Sequence, residues 1–412
     1  MSWLVQVFVN FDKILGVHNW YNGVAKHKKS LVKTSGALKV GVLGAANINI
    51  AAIIDPISTH ADAILVGIAA RDIKKAQAQI DRYGLGEYAR AYGSYQDLLD
   101  DESIDAVYIP LPNGLHHEWA IKSLRAGKHV LLEKPFTSNA AQARELTEAA
   151  AVANKICLEA FHWRFHPAAH HVKSIIESGK YGDVVKLSSH MTLPRGTVDK
   201  DDIRFKYSLA GGASMDLTYV LSTSSYFAVP AFEDSEIQFT VHSAVPRLNA
   251  ADDLVDNAME ARFTIEPPGK RKVECHTVAD LELPPLWGLI PRLDKLAPEM
   301  FIECETATIH FANFVAPYLN HTITITEKGP DGTFMGQKVV EKCYTDGPQW
   351  QSRGQAWWTT YRYQLEVFVD QVRAKESGRE YKGPTMTLQE STKLMSLIDA
   401  VYDKAGLPRR GV

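Results

Sequence analysis

Residues 126–143 read AGKHVLLEKPFTSNAAQA, and they place Glu133, Lys134 and Pro135 directly after a short apolar run. In an open α/β sheet, ligands sit at the carboxyl ends of the strands. A lysine there can hold a substrate hydroxyl with its ammonium, lower that group's pKa and relay its proton. A second stretch, KVGVLGAANINIAAII at 39–54, reads as a buried strand, a glycine turn and the start of a helix. In the fingerprint G-x-G-x-x-G the glycines make the turn, admit a pyrophosphate and let helix pack on strand. Here Gly44 fills the first place, Ala46 the second and Asn49 the third, so the fingerprint is partial. A third group is Arg71. It follows Ala70, where an NAD-preferring site has an acid for the ribose hydroxyl. A guanidinium suits a 2′-phosphate instead, which favours NADP over NAD. The competing reading of Arg71 is a surface residue opening the next helix.

These residues need elements to hold them. From Leu38 to about Lys155, short apolar runs (LKVGVL, AILVGIAA, AVYIPL, HVLLEKP) alternate with helical stretches. That alternation predicts a parallel sheet with right-handed crossovers. The helix after the lysine segment starts at Asn139 with Gln142 three residues on, a capping-box pattern. Beyond Cys157 the rhythm changes to alternating runs such as DVVKLSSHMTL, EIQFTVHSAV, NAMEARFTIE, KRKVECHTV, FIECETATIHF, HTITITEK and QKVVEKCYT. These predict an antiparallel sheet with one covered face. Two helices close the chain, the second opened by a capping box of Thr387 and Glu390.

A chain of 412 residues exceeds a typical single core, so two domains are expected. The expected division is an N-terminal arm at 1–36, a dinucleotide-binding domain at 37–156 and a substrate and dimerisation domain at 157–412. The fold class is α/β: an N-terminal Rossmann domain plus a C-terminal α+β domain with a large open, mainly antiparallel sheet. The net charge of −3 gives nucleic acid and anionic membranes no hold. Four cysteines far apart, without a C-x-x-C pair, argue against a disulfide framework or a metal site and fit a reducing, cytoplasmic setting. The opening MSWLVQVFVNFDKIL has amphipathic helical spacing but suits neither a signal peptide nor a membrane span. It reads as an arm packed on the protein's own surface or on a partner subunit. The basic run KHKKSLVK reads as a solvated linker.

With GVLGAANI, YIPLPNGLHHEWAIKSLRAGKHVLLEKP, EAFHWRFHPAAHHVKSIIESGKYGDV and LAGGASMDL in this order, the chain resembles the glucose–fructose oxidoreductase / inositol dehydrogenase / rhizopine-catabolism (Gfo/Idh/MocA) family over about residues 38–410. The resemblance implies hydride transfer between NAD(P) and a small sugar, polyol or dihydrodiol, and a homodimer through the open sheet. It assigns the phosphate turn to Gly44, Ala46, Asn47 and Ile48, and the 2′-phosphate to Arg71. Pro110, Leu111, Pro112, Asn113 and His116 would line ribose and nicotinamide. Glu133, Lys134 and Pro135 would lie at the nicotinamide, with Lys134 catalytic, and Trp163 and Arg164 would border cofactor and substrate.

The pattern departs in LAGGASMDLTYVL. The family often carries an Asp with a His or Tyr four residues on, but here Asp216 is followed by Val220. Tyr219 is one step short, and one residue turns a helix by about 100°. Lys134 and Asp216 are therefore expected to work as a two-residue acid–base pair, with Tyr219 a stand-in only if the backbone shifts. Asp183, Arg195, Asp202 and Arg204 are further polar candidates. The rival reading is a cofactor-binding regulator that acts through a protein partner. A third is NAD-assisted glycoside cleavage. An intact EKP favours the dehydrogenase.

Overall fold

The protein is described by a computed structural model over residues 11–229, 237–329, 334–345, 347, 349–350 and 353–411. Two compact units emerge. One comprises Asn10–Phe165 with Trp357–Thr392, the other His166–Ala356 with Lys393–Val412.

The first unit is built on a six-stranded parallel sheet: β1 (Leu38–Leu43), β2 (Ala63–Ala69), β3 (Arg90–Tyr92), β4 (Ala106–Ile109), β5 (His129–Leu132) and β6 (Cys157–Glu159). Their order is β3-β2-β1-β4-β5-β6. β4, β5 and β6 are buried at every residue, as expected when helices cover both faces. The apolar runs located β1, β2, β4 and β5. β3 and β6 have three residues each, too few to show a period. The helix Ala140–Ala153 starts as its sequence implies. Asn139 accepts from the Gln142 backbone N–H at 3.0 Å, and Gln142 in turn accepts from Ser138 N–H.

Two helices, Phe11–Tyr21 and Val24–Ser30, precede β1 in this unit. The apolar positions of the arm before residue 11 lie outside the described residues. The linker reading of KHKKSLVK is corrected, because Lys26–Ser30 is helical. Lys28 pairs with Asp55 at 2.6 Å, and Lys33 donates to the carbonyls of Ile57, His60 and Ala63. Burial, with Arg362 nearby, lowers the pKa of Lys33 to about 8. These lysines are spent on local carbonyls and a carboxylate, which is why the run folds down.

The second unit holds an eight-stranded sheet: β7 (Val184–Pro194), β8 (Gln238–Leu248), β9 (Asp256–Glu266), β10 (Val273–Leu283), β11 (Glu299–Cys304), β12 (Ala307–Ala312), β13 (Thr322–Lys328) and β14 (Phe334–Glu341). Its order is β14-β13-β12-β11-β7-β10-β9-β8, antiparallel throughout except for the β7–β10 pair. The run FIECETATIHF folds as the hairpin β11–β12. Its turn, Glu305–Thr306, lacks the glycine, proline or asparagine that marks a hairpin. The inner face of this hairpin is apolar, with Met300, Ile302, Ile309 and Phe311 buried.

Candidate active site

In the first unit the chain reverses direction across the sheet between β1 and β4, and a crevice forms at such a switch point. Gly44 follows β1 with φ of 125°, and its N–H donates to Ala69 O at 2.8 Å. A Cβ here would lie 3.1 Å from Leu111, so the turns after β1 and β4 meet at the glycine. Asn49, the misfit in the fingerprint, is fully buried. Its Nδ2 donates to Gly44 O and to Gln79 Oε1, both at 2.8 Å. Gln79 Nε2 donates to Ala46 O at 3.0 Å. Two side-chain amides thus brace the turn that a third glycine would otherwise tighten. Ala46 and Ile48 are half-buried and Asn47 is exposed at the tip. A π-helical turn, Ile50–Ile54, and a short helix, Asp55–Ser58, follow.

Arg71 is exposed just past β2. Asp72 opens the next helix by accepting from Lys74 N–H at 3.0 Å, so Arg71 is not the cap. Burial raises the pKa of Tyr95, and the charge of Arg71 opposes the rise. The Tyr95 ring packs edge-on against Trp119 at 4.9 Å.

Past β4, Pro110 and Leu111 are buried, while Pro112 and Asn113 are half-buried. His116 is fully buried, with Nδ1 2.8 Å from Pro135 O and Nε2 2.8 Å from Leu111 O. Two carbonyls would favour a doubly protonated ring. Burial outweighs them, the charge of Lys134 adds to it, and the pKa falls to about 4. His116 thus sits between the PLPNGLH and EKP loops, and with its pKa lowered the neutral ring can donate to one of the two carbonyls.

Past β5, Tyr108 OH donates to Glu133 Oε1 at 2.7 Å, and Lys134 N–H donates to Glu133 Oε2 at 3.2 Å. The Lys134–Pro135 peptide is cis. Lys134 is half-buried. Its charge also reaches His162, whose pKa falls to about 3 chiefly through burial. Trp163 and Arg164 lie buried in the turn His162–Phe165. Arg164 donates to Glu390 Oε1 at 2.5 Å, so its guanidinium is engaged by the protein. Glu159, at the end of β6, escaped the sequence reading. It is fully buried, and burial lifts its pKa to about 8; Glu133 adds to the rise, while Ser391, the Phe136 backbone and Arg164 oppose it.

The carboxyl edge of the sheet therefore presents, strand by strand, Arg71 after β2, Gly44 after β1, Pro110–His116 after β4 and Glu133–Pro135 after β5. These residues fit an extended dinucleotide: a cation at one end, a turn of close backbone approach in the middle, and a lysine at the other end.

Asp216 and Tyr219 belong to the second unit. Arg204 Nε donates to Asp216 Oδ2 at 2.9 Å. Arg204 also pairs with Asp202 at 2.9 Å. These carboxylates, Asp216 first, raise the pKa of Arg204, so its charge is permanent. The helix breaks at Leu217–Thr218, between Ala213–Asp216 and Tyr219–Ala228. The regular 100° step does not carry from Asp216 to Tyr219, and both Tyr219 and Val220 are buried. Asp183 pairs on the surface with Lys270 at 2.7 Å. Arg195 follows β7, its N–H on Leu283 O. Among the described residues, no cluster of His, Cys, Asp or Glu side chains could hold a metal ion, and no helix is long and apolar enough to cross a membrane.

Residues 38–161 match the oxidoreductase family with the NAD-binding Rossmann fold, GFO_IDH_MocA. D-xylose 1-dehydrogenase (NADP(+)) 2 of Haloferax volcanii is 40% identical over 192 residues, which cover 45% of this chain and 56% of that protein. The dTDP-3,4-didehydro-2,6-dideoxy-alpha-D-glucose 3-reductase of Streptomyces violaceoruber is 36% identical over 185 residues, or 45% of this chain and 52% of that one. The chain thus spans about half the length of these curated relatives. A 3-ketoreductase from Actinomadura kijaniata, crystallised with NADP and TDP-benzene, superposes with a TM-score of 0.69 at 21% identity, covering 89% of this chain and 97% of that one. That likeness concerns the fold. The match to the Gfo/Idh/MocA oxidoreductases is thus a similarity over residues 38–161.

Proposed function

We propose that this protein is an NADP-dependent oxidoreductase. It would transfer hydride between the nicotinamide and a hydroxyl or carbonyl carbon of a small sugar, polyol or dihydrodiol. The observation that carries this reading is the order of groups along the carboxyl edge of the parallel sheet, with Lys134 at the end beyond β4. Relatives named as an NADP-dependent xylose dehydrogenase and a sugar 3-reductase support it.

The bound cofactor would supply the hydride acceptor or donor. Gly44, Ala46, Asn47 and Ile48 would take the pyrophosphate on their backbone, with Asn49 and Gln79 holding the turn. Arg71 would take the 2′-phosphate. Pro110–Asn113 would wall the ribose and nicotinamide, while His116 holds their loop to the EKP loop. In oxidation, Nζ of Lys134 would take or relay the hydroxyl proton as hydride leaves the carbon, and in reduction it would return that proton to the alkoxide oxygen. Glu133, engaged by Tyr108, sets the backbone that carries Lys134. Trp163 and Arg164 would border cofactor and substrate. Asp216, held by Arg204, would orient the substrate, and Tyr219 would flank it.

The same reading takes the protein as a cytoplasmic homodimer joined by the outer face of the antiparallel sheet. Cys157, Cys275 and Cys304 are buried. The outer face carries Phe301, 41% exposed and stacked on His310 at 4.3 Å, beside the paired rings of His190 and His276.

The test is calorimetric titration of NADPH and NADH into wild type and Arg71→Ala, followed by an aldose and polyol turnover screen with Lys134→Ala. We expect NADPH preference that drops by about 10- to 100-fold in Arg71→Ala, since a charged, bidentate contact is lost. We expect Lys134→Ala to bind NADPH normally and to lose roughly 100-fold or more in kcat. Cofactor binding with no turnover of any sugar would favour the regulator; binding of neither cofactor would overturn both readings.

A further inference from the structure

The segment that delivers Asp216, LAGGASMDL, bends through Gly211 and Gly212 over a buried polar cluster. Gly212 has φ of 136°, and a Cβ there would lie 2.1 Å from Asp256 Oδ1 and 2.8 Å from the Tyr402 hydroxyl. The backbone is moulded onto these groups at a distance only glycine permits. Asp256, at the start of β9, is fully buried. Its Oδ2 accepts from both the N–H and the hydroxyl of Ser214 at 2.8 Å. Its Oδ1 accepts from Tyr402 OH at 3.0 Å and from Arg410 at 2.8 Å.

Arg410 ties the cluster to the turn. It is fully buried, its Nε donates to Gly211 O at 2.7 Å, and another guanidinium nitrogen donates to Pro408 O at 2.7 Å. The rings of Tyr402 and Tyr207 lie 4.0 and 5.2 Å from its guanidinium carbon. From the other side, Arg204 O accepts Gly212 N–H at 2.9 Å and Lys206 O accepts Gly211 N–H at 3.0 Å. The Arg204 side chain then grips Asp216 at the end of the same turn.

We infer that Arg410 is a positioning residue: with Asp256 it fixes the Gly211–Asp216 turn, and so the carboxylate of Asp216, for the reaction proposed above, on which this inference rests. Three acceptors in separate directions and two ring faces require a planar fork of donors. A lysine keeps the charge but cannot reach Gly211, Asp256 and Pro408 together. A buried carboxylate ringed by donors also resists moving, since any displaced donor would be left unsatisfied.

The experiment compares wild type, Arg410→Lys and Arg410→Ala by hydrogen exchange, NADPH titration and turnover of aldoses, polyols and dihydrodiols. The expected result for Arg410→Lys is a loss of protection of about tenfold or more, confined to the amides of Gly211, Gly212, Ser214 and Asp216. Protection in β7, β9 and β10 and the NADPH Kd stay at the wild-type values, while kcat falls on the order of tenfold or more, as for a misplaced site group. Arg410→Ala behaves the same way or worse. Wild-type protection of the turn in Arg410→Lys overturns the inference. So does a loss spread over the whole sheet, which would make Arg410 a general stabiliser. If wild type turns over no aldose, polyol or dihydrodiol, the oxidoreductase reading fails, while the exchange pattern still decides whether Arg410 positions the turn.

Discussion

Glu159 has the ordinary formula of a surface residue and none of its behaviour. Burial at the end of β6 raises its pKa from 4.5 to about 8. The folded protein thus holds a proton there that the unfolded chain releases above its ordinary pKa, so this contribution favours folding at low pH. It is lost as pH rises through the interval between the two pKa values, by about 1.4 kcal/mol per pH unit while a full proton separates the states. We expect Glu159→Gln to flatten the dependence of the denaturant midpoint on pH between about 5 and 8. The same slope in both proteins would mean that Glu159 is ionised when folded. Asn49 makes a related point. Its type breaks the glycine fingerprint, yet its amide holds the turn through Gly44 and Gln79. The sequence shows the departure; only the neighbouring helix Ile73–Arg82, which carries Gln79, supplies the repair.

Among the elements, the helix Leu388–Ala405 shows one part of its design locally and another only in three dimensions. The capping box read from Thr387 and Glu390 is present: Thr387 N–H donates to Glu390 Oε2 at 2.7 Å, and Glu390 N–H donates to Thr387 Oγ1 at 3.2 Å. Both bonds lie within one turn, so spacing alone reveals them. The other carboxyl oxygen of Glu390 meets Arg164, 226 positions away and buried. Losing the cap in Thr387→Ala costs about 1 kcal/mol. Glu390→Gln leaves a buried guanidinium without its counter-charge and is expected to cost about 3–5 kcal/mol by chemical denaturation. A cost no larger than that of Thr387→Ala would show that Arg164 finds other compensation. The hairpin β11–β12 is the opposite case, because its turn carries no signal and its alternation runs on as one strand.

For the molecule as a whole, the assembly has a direct test. If the outer face of the antiparallel sheet is buried between two copies, Phe301→Asp places a charge in an apolar contact. We expect light scattering after size exclusion to show a dimer for wild type and a monomer for Phe301→Asp, with the hairpin's buried face intact because Phe301 points outward between Met300 and Ile302. A wild-type monomer, or a dimer unmoved by the substitution, would place the contact elsewhere.

The parallel and antiparallel halves, the glycine turn, the EKP loop and the helix caps were legible in the chain. Each rests on an apolar period or on bonds between residues a few positions apart, and such signals survive without a fold around them. The partners of Asp216, Arg164, Asn49 and Arg410 were not legible. They are chosen by packing between distant segments, and Arg410 lies 154 positions from Asp256. Nor could composition reveal the raised pKa of Glu159 or the lowered pKa of His116, since both shifts arise chiefly from removal of water, which only the folded chain imposes.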